Sequence, residues 1–489
     1  VFHLSGADFT AANGESNYYV AGAFTVSGGL ITGGEQNLED YNDSLADSIN
    51  PETSSIRGTA DGNLQIVLDT GDSAIGVNGV ETLSATAVTG ARALIGEYDL
   101  VATSTGTLDL QTSQAPPSGG YAFFATGIDH NGGAMAFGGV LNVDGPGSIS
   151  GTGSVMDFND SSEGIVLPDQ TFASSSVTAA PDSFGRVAFT LNPANGNIGQ
   201  IVLIGYIVDA ATIQVLETAD TLGGTTGGMA RGQGDKTGAF SNASLSGSTY
   251  VAGADGVDSN GNLELAGAFS FSATTNNVSG NATLSDIVNE LSGNISGGTY
   301  LVDATGRATV AGLSGPTFDN ATMQLYLDGN GNAFTLFMDT SDVAAGYGFQ
   351  QVAGAAFSGL YAATAEGSAL MPSGYLAAAH GVSPHPEAMS EVPVPWSAVG
   401  QIYVDRGGNV SGFTDFDMLT GPVTPNVQLY GVATGSAETL TGTLTGAGVT
   451  SSGADTFTYY VIDDHRAFAI ETDATQLNLA YFEQLQQPQ

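Results

Sequence analysis

The stretch from Tyr121 to Asp160 decides the fold class: YAFFATGIDHNGGAMAFGGVLNVDGPGSISGTGSVMDFND. Its aromatic run, Tyr121 to Thr126, ends in the polar turn Asp129-His130-Asn131-Gly132-Gly133. A second apolar run spans Met135 to Val143. The turn Asp144-Gly145-Pro146-Gly147 follows, then a third, alternating run from Ser148 to Phe158. Short apolar runs bounded by Gly, Asn, Asp and Pro read as strands joined by tight turns. Three antiparallel strands are predicted here.

The same order of motifs recurs along the chain. The second strand reads Val20-Ala-Gly-Ala-Phe24, Ala136-Phe-Gly-Gly-Val140, Leu265-Ala-Gly-Ala-Phe269 and Ala398-Val-Gly-Gln-Ile402. A Gly stands two residues before each large apolar residue, and those residues lie 116, 129 and 133 residues apart. A third strand ends in acidic or amide residues at Asp43, Asp160, Asp286 and Asp417. A Gly-led strand recurs at Gly62, Gly185 and Gly306. Apolar strands closed by acid end at Glu97, Glu217, Asp339 and Glu471. Repetition in fixed order points to one supersecondary unit used several times. With alternation in Met323 to Leu327 and Thr456 to Ile462, and little helical periodicity, the expected fold is all-β. It consists of four tandem antiparallel β-sandwich or β-barrel domains of one repeated module.

Linkers at Gln114 to Ser118, Gly232 to Lys236 and near Val352 to Ala355 place the repeats at 1–115, 116–234, 235–354 and 355–489. The fourth carries a Pro-rich insertion at 371–395, just before the single tryptophan, Trp396. Long loops of this kind serve function or pack on a neighbour. The first strand starts abruptly at Val1 and lacks a counterpart of Tyr121. The first unit is therefore expected to be incomplete at an edge, where a donor strand would fit.

These motifs, from the Tyr-x-Phe strand to the Gly-Arg strand and the closing Leu-Ile-Glu strand, resemble repeats in Gly/Ser/Thr-rich secreted proteins of acidobacteria and similar environmental bacteria. The resemblance covers all four units and is weakest in the fourth. It implies export and a β-rich repeat fold, and it carries over no catalytic residue.

Composition limits the function classes. The chain has 489 residues, 70 of them Gly, is 42% hydrophobic and only 12% charged. That is too apolar for a disordered chain. Forty-nine acidic residues stand against 8 basic ones, a net charge of −41. Nucleic acid is excluded as a partner, because phosphate binding needs clustered Lys and Arg. An anionic membrane surface is disfavoured for the same reason. The charge also works against close packing of copies, which low pH or cations would relieve. With no Cys there are no disulfides and no thiolate sites. No apolar run reaches the 18 or so residues of a spanning helix, so the chain is not expected to span a membrane. Opening on Val1 without a leader, it reads as a processed or partial product.

Candidate chemistry is sparse. Of the five histidines (His3, His130, His380, His385, His465), only His380 and His385 are close, at a spacing that suits no zinc motif. All five read as exposed loop residues. Asp258-Ser-Asn-Gly-Asn262-Leu-Glu264 alternates oxygen ligands as a calcium loop does, but its Gly is displaced, and a hairpin turn explains it. Gly223 to Gly228 reads as a flexible hairpin rather than a phosphate loop. No Gly-x-Ser-x-Gly elbow is tied to a His and an acid. Asn-x-Ser/Thr sequons occur at Asn42, Asn159, Asn242, Asn277, Asn281, Asn294, Asn320 and Asn409. Exposed Tyr and Phe would suit a sugar platform, although aromatics more often fill a sheet's core.

No catalytic, cofactor-binding or metal-ligating residue is assigned, and the chain is not read as an enzyme. Calcium between subunits suits the many carboxylates, without assigned ligands. The primary expectation is an extracellular or cell-surface structural protein, the subunit of a filament, fibre or surface layer formed by self-association into a homopolymer. The alternative is a monomeric adhesin or glycan-binding module that uses the insertion before Trp396 as its contact loop.

Overall fold

The computed structural model describes residues 1–489 except 11–13, 42, 61, 73–74, 100–101, 146, 219, 259–260, 287–288, 340–341, 373–390, 420, 422, 436–438, 446–453, 473–475 and 487–489. Among the described residues the regular structure is β-strand, with two 3₁₀ turns at Gly234–Lys236 and Asn242–Ser244. No helix among them is long and apolar enough to cross a membrane.

The strands form four antiparallel sheets. Three have nine strands each and occupy residues 2–109, 119–232 and 249–350. The fourth, residues 359–484, is a closed barrel of eight. Apart from one gap in each nine-stranded sheet, strands pair with their neighbours in sequence, and in every sheet the first strand also pairs with the last. The nine-stranded sheets are left open between their fourth and fifth strands. Backbone stitches cross or flank that seam: Ile149 N–H donates to Ser175 O (3.2 Å) in the second sheet, and Val278 N–H to Gly298 O (2.9 Å) in the third. Pro168 lies in the edge strand Ile165–Gln170, where its missing N–H breaks no ladder.

Alternation sets which residues face in. Each sheet encloses its own core. Tyr121, Phe123, Phe137, Leu141 and Phe158 fill the second, while Tyr361, Ile402, Leu429, Phe457, Tyr459 and Phe482 fill the barrel. Burying a ring of this size contributes roughly 2–3 kcal/mol.

The hairpins use one turn repeatedly. An Asp carboxylate accepts backbone N–H bonds from positions two and four residues on, and a Gly at the third position takes a left-handed φ. Asp129 accepts from Asn131 and Gly133 (3.0 and 2.7 Å), with Gly132 at φ 80°. Asp328 accepts from Asn330 and Asn332, and Asp405 from Gly407 and Asn409. Gly331 and Gly408 are at φ 83° and 81°. Asp182 opens a turn of the same kind before Gly185, while at Asp303 the carboxylate accepts from Thr305 N–H and Thr305 Oγ1 accepts from Arg307 N–H, before Gly306. The side chain replaces a backbone acceptor, and only Gly tolerates the αL position without cost.

The chain divides into two compact units. One is built on residues 110–286 and 291–351, and so on the second and third sheets. The other is built on 2–109 and 352–489, the first sheet and the barrel.

Three expectations need correction, and one recurring motif takes different faces in its copies. Strand Phe2–Thr10 pairs on both sides, with Gly14–Ser27 and Ala102–Asp109, so no donor-strand gap exists there; the first sheet's open edges are Ser44–Ile49 and Ser55–Gly58. Phe24, Phe269 and Ile402 face their cores, but Val140 pairs with Ala122 on the outer face and Leu141 faces in. A one-residue offset is invisible in a Gly-rich motif yet reverses the face. Gly223 to Gly228 is only partly a turn, because strand Thr225–Gly232 begins within it. A Cβ at Gly228 would lie 2.1 Å from Phe124 O, so glycine there serves close strand contact. His3 is a buried strand residue, 8% exposed, rather than a loop histidine.

Candidate functional site

Within each unit two sheets meet through their outer faces, and both joints use matching strands. Outer residues of the first strands of the second sheet, Ala122, Phe124 and Ala136, pack on Tyr326, Phe334, Leu336 and Ala345 from the last three strands of the third. In the other unit the barrel's Ala362 and Val399 pack on Val88 and Leu94 of the first sheet. Each joint has a buried aspartate at the same register. Asp157 pairs across its strand with Gly138, and Asp415 with Val399. Asp157 accepts from Arg307 Nη2 (2.6 Å), Arg307 Nε (2.7 Å) and Tyr326 Oη (2.8 Å). Asp415 accepts from Ser84 Oγ (2.6 Å) and Asn63 Nδ2 (3.3 Å). Burial disfavours the Arg307 cation, but the bonds and charge of Asp157 outweigh it and hold its pKa above the ordinary value.

The same unit holds a group of buried acids, two inside the first sheet and one on the joint face of the barrel. Glu81 accepts from Tyr18 Oη (2.7 Å) and Glu97 from Ser104 Oγ (3.1 Å). Burial pushes Glu81 up to about 7, and burial, followed by the charges of Asp99, Glu81 and Asp417, raises Glu97 well above the carboxylate range. Asp417, 2% exposed, is pushed up to about 8 by burial and by Asp99. Glu81 and Glu97 share the inward face of their strands with Leu83 and Ile95 of the first sheet's core, whereas Asp417 shares the outward, joint-facing side of its strand with Asp415. No group of three or more His, Cys, Asp or Glu among the described residues is placed to hold a metal ion.

The barrel presents a surface of another kind. Turning Ile402, Val404, Val410, Leu429 and Leu444 into the core sends the intervening residues outward. Strand register aligns them in rows across the wall. Leu360, Tyr403, Ser411, Tyr430 and Thr445 form one row, Gln401, Phe413 and Gln428 the next, and Asn409, Val432 and Thr443 a third. Tyr403, Phe413 and Tyr430 are 50%, 50% and 56% exposed, and Val432 is 40% exposed. Three open rings thus share one wall with amides and hydroxyls, and the rows contain no Asp, Glu, Lys or Arg. Exposed aromatic patches of this kind mark contact surfaces.

Inside the barrel, Ala363, Ala365, Ala398 and Ala480 leave a cavity of about 30 Å³ into which Asn478 projects. Asn478 Oδ1 has no hydrogen-bond partner among the described residues. The space suits one or two waters, not a sugar.

Sequence candidates fall elsewhere. His130 and His465 are exposed at turns, and His465 bonds Gln484 (2.6 Å). His380, His385 and most of the insertion lie outside the described residues, as do Ser259 and Asn260 of the suspected calcium loop. The strands around those two pair directly, Asp258 with Gly261. The insertion's ends are strand rather than loop: Pro372 pairs with Glu391 and Ser368 with Pro395. Trp396 is 1% exposed and stacks near Phe416 in the core (5.3 Å). Asn159 is fully buried and donates to the carbonyls of Phe337, Asp339 and Asp342, so its sequon is inaccessible in the fold. No signal in sequence singled out Tyr403, Phe413 and Tyr430, which are separated along the chain and share a wall only through register.

No family model and no curated protein matches the chain. Among solved structures, it is similar to a double mutant of transferrin binding protein B from Haemophilus parasuis Hp5. That match has 10% identity, 100% of this chain and 95% of that chain covered, and a TM-score of 0.21. It is also similar to isotype 1 transferrin binding protein B from serogroup B Neisseria meningitidis (10%, 98% and 99%, TM-score 0.20). A third is a protein of unknown function of the DUF3598 family from Nostoc punctiforme PCC 73102 (10%, 50% and 97%, TM-score 0.14). At such TM-scores these likenesses carry no weight for fold or function.

Proposed function

We propose that this is an extracellular or cell-surface protein that binds an uncharged glycan on the barrel wall carrying Tyr403, Phe413 and Tyr430. The observation that carries this reading is the conjunction on one face of three half-exposed rings with Gln401, Gln428, Ser411, Thr443 and Thr445. A pyranose has apolar faces of axial C–H groups and an equatorial belt of hydroxyls. Rings accept the first and amides and hydroxyls the second. The contact surface in this reading is the wall rather than the insertion, whose strand ends lie at the opposite end of the strand that carries Tyr403. Export fits the resemblance to secreted Gly/Ser/Thr-rich β-repeat proteins, and the shared strand order of the sheets supports one module used four times.

Affinity electrophoresis through gels containing neutral polysaccharides tests this reading. Retardation by at least one of them is expected, with Tyr403→Ala and Tyr430→Ala each reducing it at least tenfold while the melting temperature holds. Absence of retardation across the panel, or unchanged retardation in both variants, overturns it.

A second reading, the subunit of a filament or surface layer, is favoured by the repeated joint. One face of a sheet packs on a different face of another, and such a heterologous contact extends rather than closes. Negative-stain microscopy with and without chelator tests it. Ordered polymers support the subunit role, chelator sensitivity places calcium in the contacts, and dispersed particles remove it.

A further inference from the structure

The two joints use matching strands but are held differently. Phe124, Met229, Tyr326, Phe334 and Leu336 give the joint of the second and third sheets a broad apolar contact, closed by the Asp157–Arg307 pair. Between the first sheet and the barrel the apolar contact is Val88, Leu94, Ala362 and Val399. Polar bonds supply the rest. Besides the Ser84 and Asn63 bonds to Asp415, Thr103 Oγ1 donates to Ser397 Oγ (2.8 Å) and Thr105 Oγ1 to Glu366 Oε2 (3.1 Å). Glu366, Ser397 and Asp417 form one row across three barrel strands. At the end of that row Asp417 accepts from the Asp99 backbone of the first sheet, and the charges of Asp99 and Glu97 act on it. Its Oδ2 is buried without a hydrogen-bond partner among the described residues. The basic side chain that bridges the first sheet and the barrel, Arg92, is engaged by Asp109 and Glu483 instead.

We propose that this joint is a latch, shut while Asp417 holds its proton and opening, with both sheets still folded, when the proton is lost. Each sheet keeps a core of its own, so the two can part without either unfolding. Polar contacts between domains part more readily than broad apolar ones. In the shut form an ionised Asp417 meets Asp99 and Glu97 away from water, and in the open form it is hydrated. The shut form therefore binds the proton more tightly, at about 8 against an ordinary value of 3.8. Between those values opening becomes about tenfold more favourable per pH unit, or about 100-fold from pH 5 to pH 7. The parted faces uncover Val88, Leu94 and Val399.

Cysteine labelling is the test, because the chain has no Cys of its own. A dithiopyridine reagent reacts with Val399→Cys at the joint, with Thr441→Cys on the open barrel wall as the reference at every pH. The ratio of the two rates should rise about 100-fold between pH 5 and pH 7, and Asp417→Asn should flatten that rise. Ala469→Cys, in the barrel core, should stay protected throughout. No rise, or a rise that Asp417→Asn keeps, overturns the latch. Labelling of Ala469→Cys in step with Val399→Cys also overturns it, since the barrel would then be unfolding rather than parting from the first sheet.

Discussion

A chain with 49 acidic residues and one acid at nearly every turn uses many of them for architecture. Asp129, Asp182, Asp303, Asp328 and Asp405 each fold a hairpin through their own carboxylate, and bonds from Asn409, side chain first, hold Asp405 below the usual carboxylate range. Others lock sheets together. Asp157 is fully buried, and its bidentate partner Arg307 has an 11% exposed side chain. Breaking such a pair leaves an uncompensated buried charge. Asp157→Ala should therefore lower unfolding stability by about 3–5 kcal/mol, read from urea denaturation by circular dichroism. Replacing both partners, Asp157→Leu with Arg307→Met, should recover most of the loss. A single variant that unfolds like the parent would mean the pair is solvated and contributes little.

At the scale of strands and turns, glycine separates conformational need from spatial need. Gly408 has φ 81°, and a Cβ there would lie 2.1 Å from Ala433 O; Gly29 has the same φ (81°) but open space around it. Both lie in the unit that contains Trp396. Gly29→Ala should cost about 1 kcal/mol and Gly408→Ala about 2–4 kcal/mol, both followed by Trp396 fluorescence during denaturation. Equal costs would show that the backbone contact relaxes freely. Much at this scale was legible in sequence. Alternation located Met323 to Leu327 and Thr456 to Ile462, and the Asp-x-x-Gly turns marked hairpins. Faces were less legible, as Val140 shows, because motifs of Gly and Ala fit either register. Closure was hidden altogether: nothing local distinguishes the first strand, Phe2–Thr10, from an edge, since its second partner arrives about a hundred residues later. The tyrosine row was hidden for the same reason, its members being brought together by the ladder and not by any motif.

Across whole units, the second sheet pairs with the third, its neighbour in sequence, but the first pairs with the fourth, the most distant, and this second unit carries the raised carboxyls, Asp417 on the joint face and Glu81 inside the first sheet. Asp417 and Glu81 bind their protons more tightly folded, at about 8 and about 7, than unfolded, near 3.8 and 4.5. Their contribution is therefore full below the unfolded values and is lost as pH rises through 7 and 8. For Asp417 the loss between pH 5 and pH 8 is on the order of 4 kcal/mol. Trp396, the single tryptophan and a core residue of the barrel, reports this unit alone. Its fluorescence melt should move to lower temperature as pH is raised from 5 to 9. General repulsion at net charge −41 pushes in the same direction, but salt screens exposed charges much more than buried ones. The shift should thus persist at high salt. Asp417→Asn keeps a neutral side chain at every pH and should flatten the upper part of the profile, raising stability at pH 9 relative to the parent. A parent profile that high salt flattens, or an Asp417→Asn profile parallel to the parent's, would assign the pH dependence to surface charge and leave the joint without a proton lock.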